Sequence, residues 1–358
     1  MAPLDLDRLQ QQIRSENLSW RVRVVPDDEP HSLGFEPSVA TQLAASEAVG
    51  ATLLQALQLN PTALSRNRLL DPSVLAKFLR VQPRRFDWRD RGVIGAVTDQ
   101  RWCGSCVSFA TAGLVSAQAA IELGVHDLDL SEADQHFCSS HGAHCGGWNN
   151  HDSLDQVRQR GISTEASFPY MSAFDSPPQV TNPADPNSLW AAHCRAQRLR
   201  RAYSITNFTA HTGDDRKTYL STVGPMICGF TVFEDFDVYA GGVFRHVTGK
   251  SRGGHAVLVV GYDDDRGCWI CRNSWGTGFG GAAQPDGTGA GFFELGYGDS
   301  GIDGEAFFGC TGVVAPRPID VRLLDLAKLK DIKVLQRPLP IPGPGPVEDF
   351  VLRPALLR

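Results

Sequence analysis

The chain has 358 residues, 42% of them apolar, 21% charged and 9% aromatic, and a net charge of −6 from 34 basic and 40 acidic side chains. That composition excludes a disordered, collagenous or coiled-coil chain, and the acidic balance argues against a nucleic-acid partner. The length suits two domains, or one bilobal domain with extensions. No apolar run approaches the roughly 20 residues that a spanning helix needs, so no membrane span is expected.

The opening residues lack the basic and apolar regions of a secretory signal, which makes cytoplasm the default expectation. Residues 1–82, 83–310 and 311–358 carry nets of −1, −8 and +3, and all nine cysteines fall in the middle segment. Nine is odd, so at least one cysteine stays out of an intramolecular disulfide. The pattern predicts a leader, a cysteine-containing central domain and a tail.

In the leader, Trp20, Val22 and Val24 alternate with Arg21 and Arg23, a strand period. Val39, Leu43, Leu53 and Leu57 predict an amphipathic helix stopped at Asn60-Pro61, and Asp71-Pro72 opens another through Leu79. In the central domain, 106–124 reads as a helix apolar on every side, ended by Gly124 and therefore buried. Strands are expected at 225–232, 256–262, 268–272 and 291–295, divided by glycines. A helical half followed by a stranded half predicts an α+β fold, two lobes with a cleft between them. The tail has a helical pattern at 323–335 and then alternating prolines from Pro338 to Pro346, which favour extended chain.

Three sites carry chemistry: Gln100-Arg101-Trp102-Cys103-Gly104-Ser105-Cys106 at the start of the buried helix, Gly253-Gly254-His255-Ala256-Val257 entering a strand, and Cys271-Arg272-Asn273-Ser274-Trp275-Gly276 leaving the next. A thiol is a weak nucleophile until it ionises, and a helix N-terminus with an adjacent imidazolium favours the thiolate. His255 is suited to protonate a leaving amine and then activate water. Asn273 is suited to fix the His255 tautomer, and the Gln100 amide to donate to an oxyanion beside the Cys106 backbone N–H.

These blocks, in this order, resemble the papain family of cysteine proteases over residues 83–310. Phe86-Asp87-Trp88-Arg89, Leu130-Ser131-Glu132, Phe168-Pro169-Tyr170, Gly224-Pro225, Glu234-Asp235-Phe236, Gly242-Val243-Phe244 and Val260-Gly261-Tyr262 add to the match. The resemblance implies a papain-like two-lobed α+β fold, with a helical lobe at about 83–205 and a β-barrel-like lobe at about 206–310. It implies a cysteine endopeptidase that forms an acyl-enzyme on Cys106, with His255 as acid and base, Asn273 as orienter, Gln100 in the oxyanion hole and Trp275 shielding the His–Asn pair. The His lies 149 and the Asn 167 residues after the Cys, the Asn slightly beyond the family's approximate 130–150 spacing.

The implied partner is a peptide or protein substrate, with no cofactor and no metal, and the chain is expected to be a monomer. Disulfides Cys103–Cys145 and Cys138–Cys194 are implied. They set a secreted or lysosome-like compartment against the missing signal. Cys228, Cys268, Cys271 and Cys310 are expected to be mainly free core thiols.

The chain departs from the family pattern at Val107, usually Trp, and in the shortened glycine turn Cys145-Gly146-Gly147-Trp148. Gly146 and Gly147 are expected to meet substrate backbone. Gly229, with Gly253 and Ala256, suggests a roomy pocket for a large apolar side chain, and Gly254 is also expected to bind substrate. Residues 1–82 are a candidate inhibitory leader, although they lack the family's usual helical signature; a permanent arm is the rival.

Several other patterns invite a different chemistry. The two CxxC pairs suggest zinc, but odd spacing turns Cys268 and Cys271 to opposite strand faces. His136, His141, His144, Cys145 and His151 read as a polar loop with scattered histidines, and Asp263-Asp264-Asp265 as a solvated turn without calcium-loop spacing. An amidase or transpeptidase using the same acyl-enzyme, and a non-catalytic peptide binder, remain alternatives.

Overall fold

Helix α1 of the leader, Leu6–Ser15, starts at Asp5, whose carboxylate accepts the Arg8 N–H, and buries Leu9 and Ile13. After the short strand β1, Arg85–Asp87, comes α2, Cys106–Leu123, closed by Gly124 at φ 67°. The left-handed conformation there suits glycine, which has no Cβ to clash. Helices α3, Glu132–Phe137, and α4, Asn150–Arg160, follow, capped by Ser131 and Asn149 side chains that accept backbone N–H bonds.

The second half supplies β2 Ser204–His211, α5 Asp215–Thr222, β3 Met226–Phe233, β4 Val243–Phe244, β5 Ser251–Asp263, β6 Cys268–Arg272, β7 Phe292–Gly296 and β8 Phe307–Val314. The computed structural model describes residues 4–25, 32–37, 82–170 and 202–316. The expected helices at 39–57, 71–79 and 323–335, the proline tail and Cys194 lie outside the described residues.

The strands form one sheet in the order β2-β8-β3-β5-β6-β7-β4, with β1 added to β5; the pairs are antiparallel except the parallel β4–β7. Helix α2 packs on β5 and β8. Nearly every one of its side chains is buried because neighbours enclose it on all sides. It alone among the described residues is long and apolar enough to cross a membrane, and the core accounts for that composition. A second, aromatic-rich cluster fills the β half around Phe236, Tyr239, Phe244, Trp275 and Phe293.

The mixed helix-and-sheet architecture is the one expected. The expected strands appear, β6 with the expected ends and the others with ends moved by one to five residues, the largest shift being the start of β5 at Ser251. Strands β2 and β8 and helices α4 and α5 were not among the expected elements, and β8 runs to Val314, past residue 310.

The leader is integral to this core. Trp20 is buried against Phe244, and Arg21 and Arg23 pair through their backbones with Val238, Ala240 and Gly241. The alternation at 20–24 thus becomes an added edge segment, with Val22 bridging Tyr239.

Candidate active site

Helix α2 begins at Cys106, so its thiol lies at the positive end of the helix dipole. Strand β5 carries His255 and Ala256 across the face of α2, and the Ala256 N–H reaches Cys106 Sγ at 3.4 Å. Strand β6 ends at Arg272 and delivers Asn273, whose Oδ1 lies 2.8 Å from His255 Nε2. The Trp275 ring lies 4.6 Å from the imidazole, and the Phe230 ring closes another side at 5.8 Å. Asn273 Oδ1 is thus placed to accept from the His255 ring, and the Trp275 indole lies over the imidazole.

Gln100 is held from two directions. Its Oε1 accepts the Ser274 hydroxyl at 2.6 Å, which aims Nε2 at the Cys103 carbonyl and the Ser32 carbonyl, both at 3.0 Å. The Tyr170 hydroxyl donates to the Gln100 carbonyl at 3.0 Å and meets the Ser105 hydroxyl at 2.9 Å. Ser274 lies inside the Asn-Ser-Trp-Gly block, but nothing in the sequence signalled that its hydroxyl orients Gln100 across 174 residues.

Residues 32–37 of the leader cross this site. The Ser32 carbonyl accepts from Gln100 Nε2 and from Trp275 Nε1, the latter at 3.3 Å. Leu33 faces Gly253, where an added Cβ would lie 3.6 Å from its side chain. Gly34 lies so close over Gly104 that a Cβ would come within 1.9 Å of the Gly104 carbonyl. The Phe35 N–H donates to the Gly254 carbonyl at 3.0 Å. Its ring fills the space beside Gly229, where a Cβ would meet it at 2.0 Å. Phe35, Ala256 and Cys106 belong to one buried cluster. Gly229 and Gly254 therefore take a large apolar side chain here, the leader's own.

Backbone pairing at the glycine turn falls one residue later than expected. The Trp148 N–H donates to the Gly34 carbonyl at 2.7 Å, and the Trp148 carbonyl accepts from Glu36 at 2.8 Å, in a parallel bridge. Gly147 allows the close approach, since a Cβ there would lie 2.8 Å from Glu36. Gly146 faces His144 instead, because the shortened turn folds back on itself.

With the leader in place, Cys106 is fully buried. Desolvation is the main cause that pushes its thiol up to about 11, against the lowering effect of N–H groups of Ala256 and Gly34 directed at the sulfur.

The Cys103–Cys145 disulfide is present. Cys138 is also disulfide-bonded, and its expected partner, Cys194, lies outside the described residues. Cys228, Cys268, Cys271 and Cys310 are free and buried, as is Cys106. A zinc site from the two CxxC pairs does not form: Cys103 is oxidised, Cys106 lies in the cleft, and the β6 pair is buried within the sheet.

The three aspartates at 263–265 take separate partners. Asp263 caps its own turn, Asp264 meets Lys217 and Tyr297, and Asp265 meets Arg84. Of the five residues read as a polar loop, His136 is different: it lies within α3, fully buried, and burial pushes it down to about 3. Its Nε2 is 3.6 Å from Cys103 Sγ, but that sulfur is spent in the disulfide and offers no thiol for His136 to ionise.

Residues 82–287 match the model of the papain family cysteine proteases, and the chain belongs to that family. Among curated relatives, fruit bromelain of Ananas comosus is 30% identical over 203 residues, 55% of this chain and 52% of the relative. Cathepsin K of Gallus gallus is 32% identical over 203 residues, 55% of this chain and 56% of the relative. The chain thus spans little more than half the length of the curated relatives it matches. Among solved structures, procathepsin B S9 of Trypanosoma congolense aligns with TM-score 0.59 at 22% identity, over 87% of this chain and 97% of that one. Digestive procathepsin L2 of Tenebrio molitor aligns with TM-score 0.58 at 24% identity, over 86% and 88%. At those identities the likeness concerns the fold.

Proposed function

We propose that the protein is a cysteine endopeptidase whose 1–82 leader holds it inactive, with a protease domain from residue 83 to the end of β8 at Val314 and the residues after it as an extension. The observation that carries the reading is the convergence of Cys106, His255, Asn273 and Gln100 from α2, β5, the end of β6 and the loop before α2. Cys106 attacks the scissile carbonyl carbon as thiolate, while Gln100 Nε2 and the Cys106 backbone N–H hold the oxyanion. His255, fixed by Asn273, gives its proton to the leaving amine. It then takes one from water, which attacks the thioester carbonyl carbon, so that the C–S bond breaks, the acid product leaves and the Cys106 thiolate is regenerated. The substrate is a peptide or protein chain with a large apolar side chain in the Gly229–Gly254 pocket, where Phe35 supplies the precedent.

The leader crosses the site with the Gly34 N–H directed at the sulfur and the Ser32 carbonyl held by Gln100, so it occupies the positions a substrate would need. A fluorogenic peptide with Phe before the cleaved residue tests both parts. The full chain is expected to be nearly inert, to gain activity as the leader is cut on acidification, and to do neither as Cys106→Ala. Full activity with an intact leader would refute the inhibitory role, and no hydrolysis after its removal would refute the peptidase. A free amine added to the assay reports on acyl transfer: a ligated product dominating over hydrolysis would move the reading to a transpeptidase.

A further inference from the structure

Three residues before Cys106, the sulfur of Cys103 is bonded to Cys145 and faces a histidine that the proposed reaction does not use. Cys103 Sγ, Cys145 Sγ and His136 Nε2 all lie within 4.8 Å of one another. We propose that reduction of this disulfide opens a binding site for a borderline-soft divalent metal ion of the zinc class, held by Cys103 Sγ, Cys145 Sγ and His136 Nε2.

The geometry is close to what such an ion needs. With Zn–S about 2.3 Å and Zn–N about 2.0 Å, a tetrahedral centre places nitrogen and sulfur roughly 3.5 Å apart. The observed His136 Nε2 to Cys103 Sγ distance is 3.6 Å. The ring is held from its far side, Nδ1 lying 3.0 Å from the Ser108 hydroxyl on α2, and it packs edge-on to Phe137 and Trp148. A second hydrogen bond that fixes the ring is the usual companion of a metal-binding histidine. Cys145 is partly exposed, which gives an ion a way in, and water is the fourth ligand.

The chemistry balances. A dithiol or a phosphine supplies two electrons, the S–S bond breaks, and two thiols form as the reductant is oxidised to a disulfide or a phosphine oxide. Binding then releases both thiol protons, giving two metal–thiolate bonds and one metal–imidazole bond with net charge zero from the ion and its thiolates. The disulfide ties the loop that carries Gln100 and Cys106 to the turn that carries Gly147 and Trp148, and the metal would tie the same two segments in a reducing compartment.

The test uses the full chain as Cys106→Ala, which removes the active-site thiol from competition for the metal. After phosphine reduction without oxygen, Co(II) is added as a spectroscopic stand-in. The expected result is one equivalent bound with thiolate-to-cobalt charge-transfer absorption, absent from the oxidised protein. It is lost in His136→Gln and Cys145→Ser and kept in Cys138→Ser. Zn(II) is also expected to slow alkylation of Cys103 and Cys145 at least tenfold, read by peptide mapping, with no effect at Cys228. This second measurement needs no variant at the site itself. Absorption that survives His136→Gln, absorption in the oxidised protein, or equal alkylation of Cys103 and Cys145 with and without zinc would each overturn the proposal.

Discussion

At the scale of single residues, the site depends on how an amide is aimed and on what a glycine leaves open. Gln100 can present only one end of its amide to a developing oxyanion, and the Ser274 hydroxyl on Oε1 selects the donor end. Gln100→Ala in the leader-free enzyme is expected to lower kcat/KM about 10²–10³-fold, mostly in kcat, as for loss of one oxyanion donor. Ser274→Ala should cost less, because Gln100 remains but turns more freely; steady-state kinetics of both variants measures the order, and an unchanged kcat in Gln100→Ala would remove it from the reaction. Gly229 leaves open the space that Phe35 enters. A side chain there would occupy the volume that the Phe35 ring fills. Burying such a side chain is worth about 1.5–3 kcal/mol, so Gly229→Val is expected to lower cleavage of Phe-containing peptides roughly 10- to 100-fold relative to Ala-containing ones. A peptide library profiled on both enzymes reads the shift, and an unchanged ratio would show that this pocket does not choose the substrate.

At the scale of elements, the leader acts as two anchors and a crossing. Helix α1 and Trp20 seal against the aromatic cluster, and residues 32–37 pass over the thiol. Phe35 is the apolar contact at the crossing, so Phe35→Ala in the full chain should raise the population of the open cleft. Cys106 alkylation at neutral pH is expected to speed up roughly 10- to 100-fold, from the same 1.5–3 kcal/mol. Equal labelling rates in the two chains would mean that the crossing opens by some other contact.

The elements also show what was legible. Helix α2 and strand β6 could be read because each is rich in apolar and small residues with clear ends, and Gly124 marked the stop of the helix. The site residues on them followed from residue types in family order. Strands β2 and β8 escaped because neither has strict alternation: β2 is mostly half-buried or exposed and β8 opens with four buried residues in a row; they exist because they pair with each other along seven residues. Phe35 had no local signal at all. Its role comes from a cleft built by residues about 70 to 240 positions away, and periodicity does not carry such distances. At the shortened turn the leader pairs with the backbone of Trp148 while Gly146 bonds to His144, and no local pattern announces either contact.

At the scale of the whole molecule, the groups buried between its halves set how stability varies with pH. Glu132, at the start of α3, bonds to the Thr98 hydroxyl at 3.2 Å and shares a cavity with Asp129 and Arg272. The Arg272 head lies on Gly113, where a Cβ would meet it at 1.9 Å, and donates to the Gly95 and Ala96 carbonyls. Desolvation first, and Glu165 second, push Glu132 up to about 8, and desolvation pushes Glu165 up to about 7. In the unfolded chain both titrate near 4.5. Between those values the folded protein binds more protons than the unfolded one, so stability falls as pH rises from about 4.5 to 8. Asp264 and Asp286 are lowered, by hydrogen bonds from Lys217 and Thr288 respectively that outweigh desolvation, and their contribution is lost only below the ordinary carboxylate range. The two effects place the maximum near pH 5.

A tenfold gain in proton affinity on folding is worth about 1.4 kcal/mol, so Glu132 alone contributes on the order of a few kcal/mol to the difference between pH 5 and pH 8. At about 2–4 °C per kcal/mol for a domain of this size, calorimetry of the Cys106→Ala chain should find Tm several degrees lower at pH 8. Glu132→Gln keeps a group that can bond to Thr98 but cannot ionise, so it should narrow that gap by raising Tm at pH 8 while leaving pH 5 almost unchanged. A gap of the same width in the variant would mean that Arg272 already holds Glu132 as a carboxylate, and that the cavity is an ion pair rather than a protonated acid beside a cation.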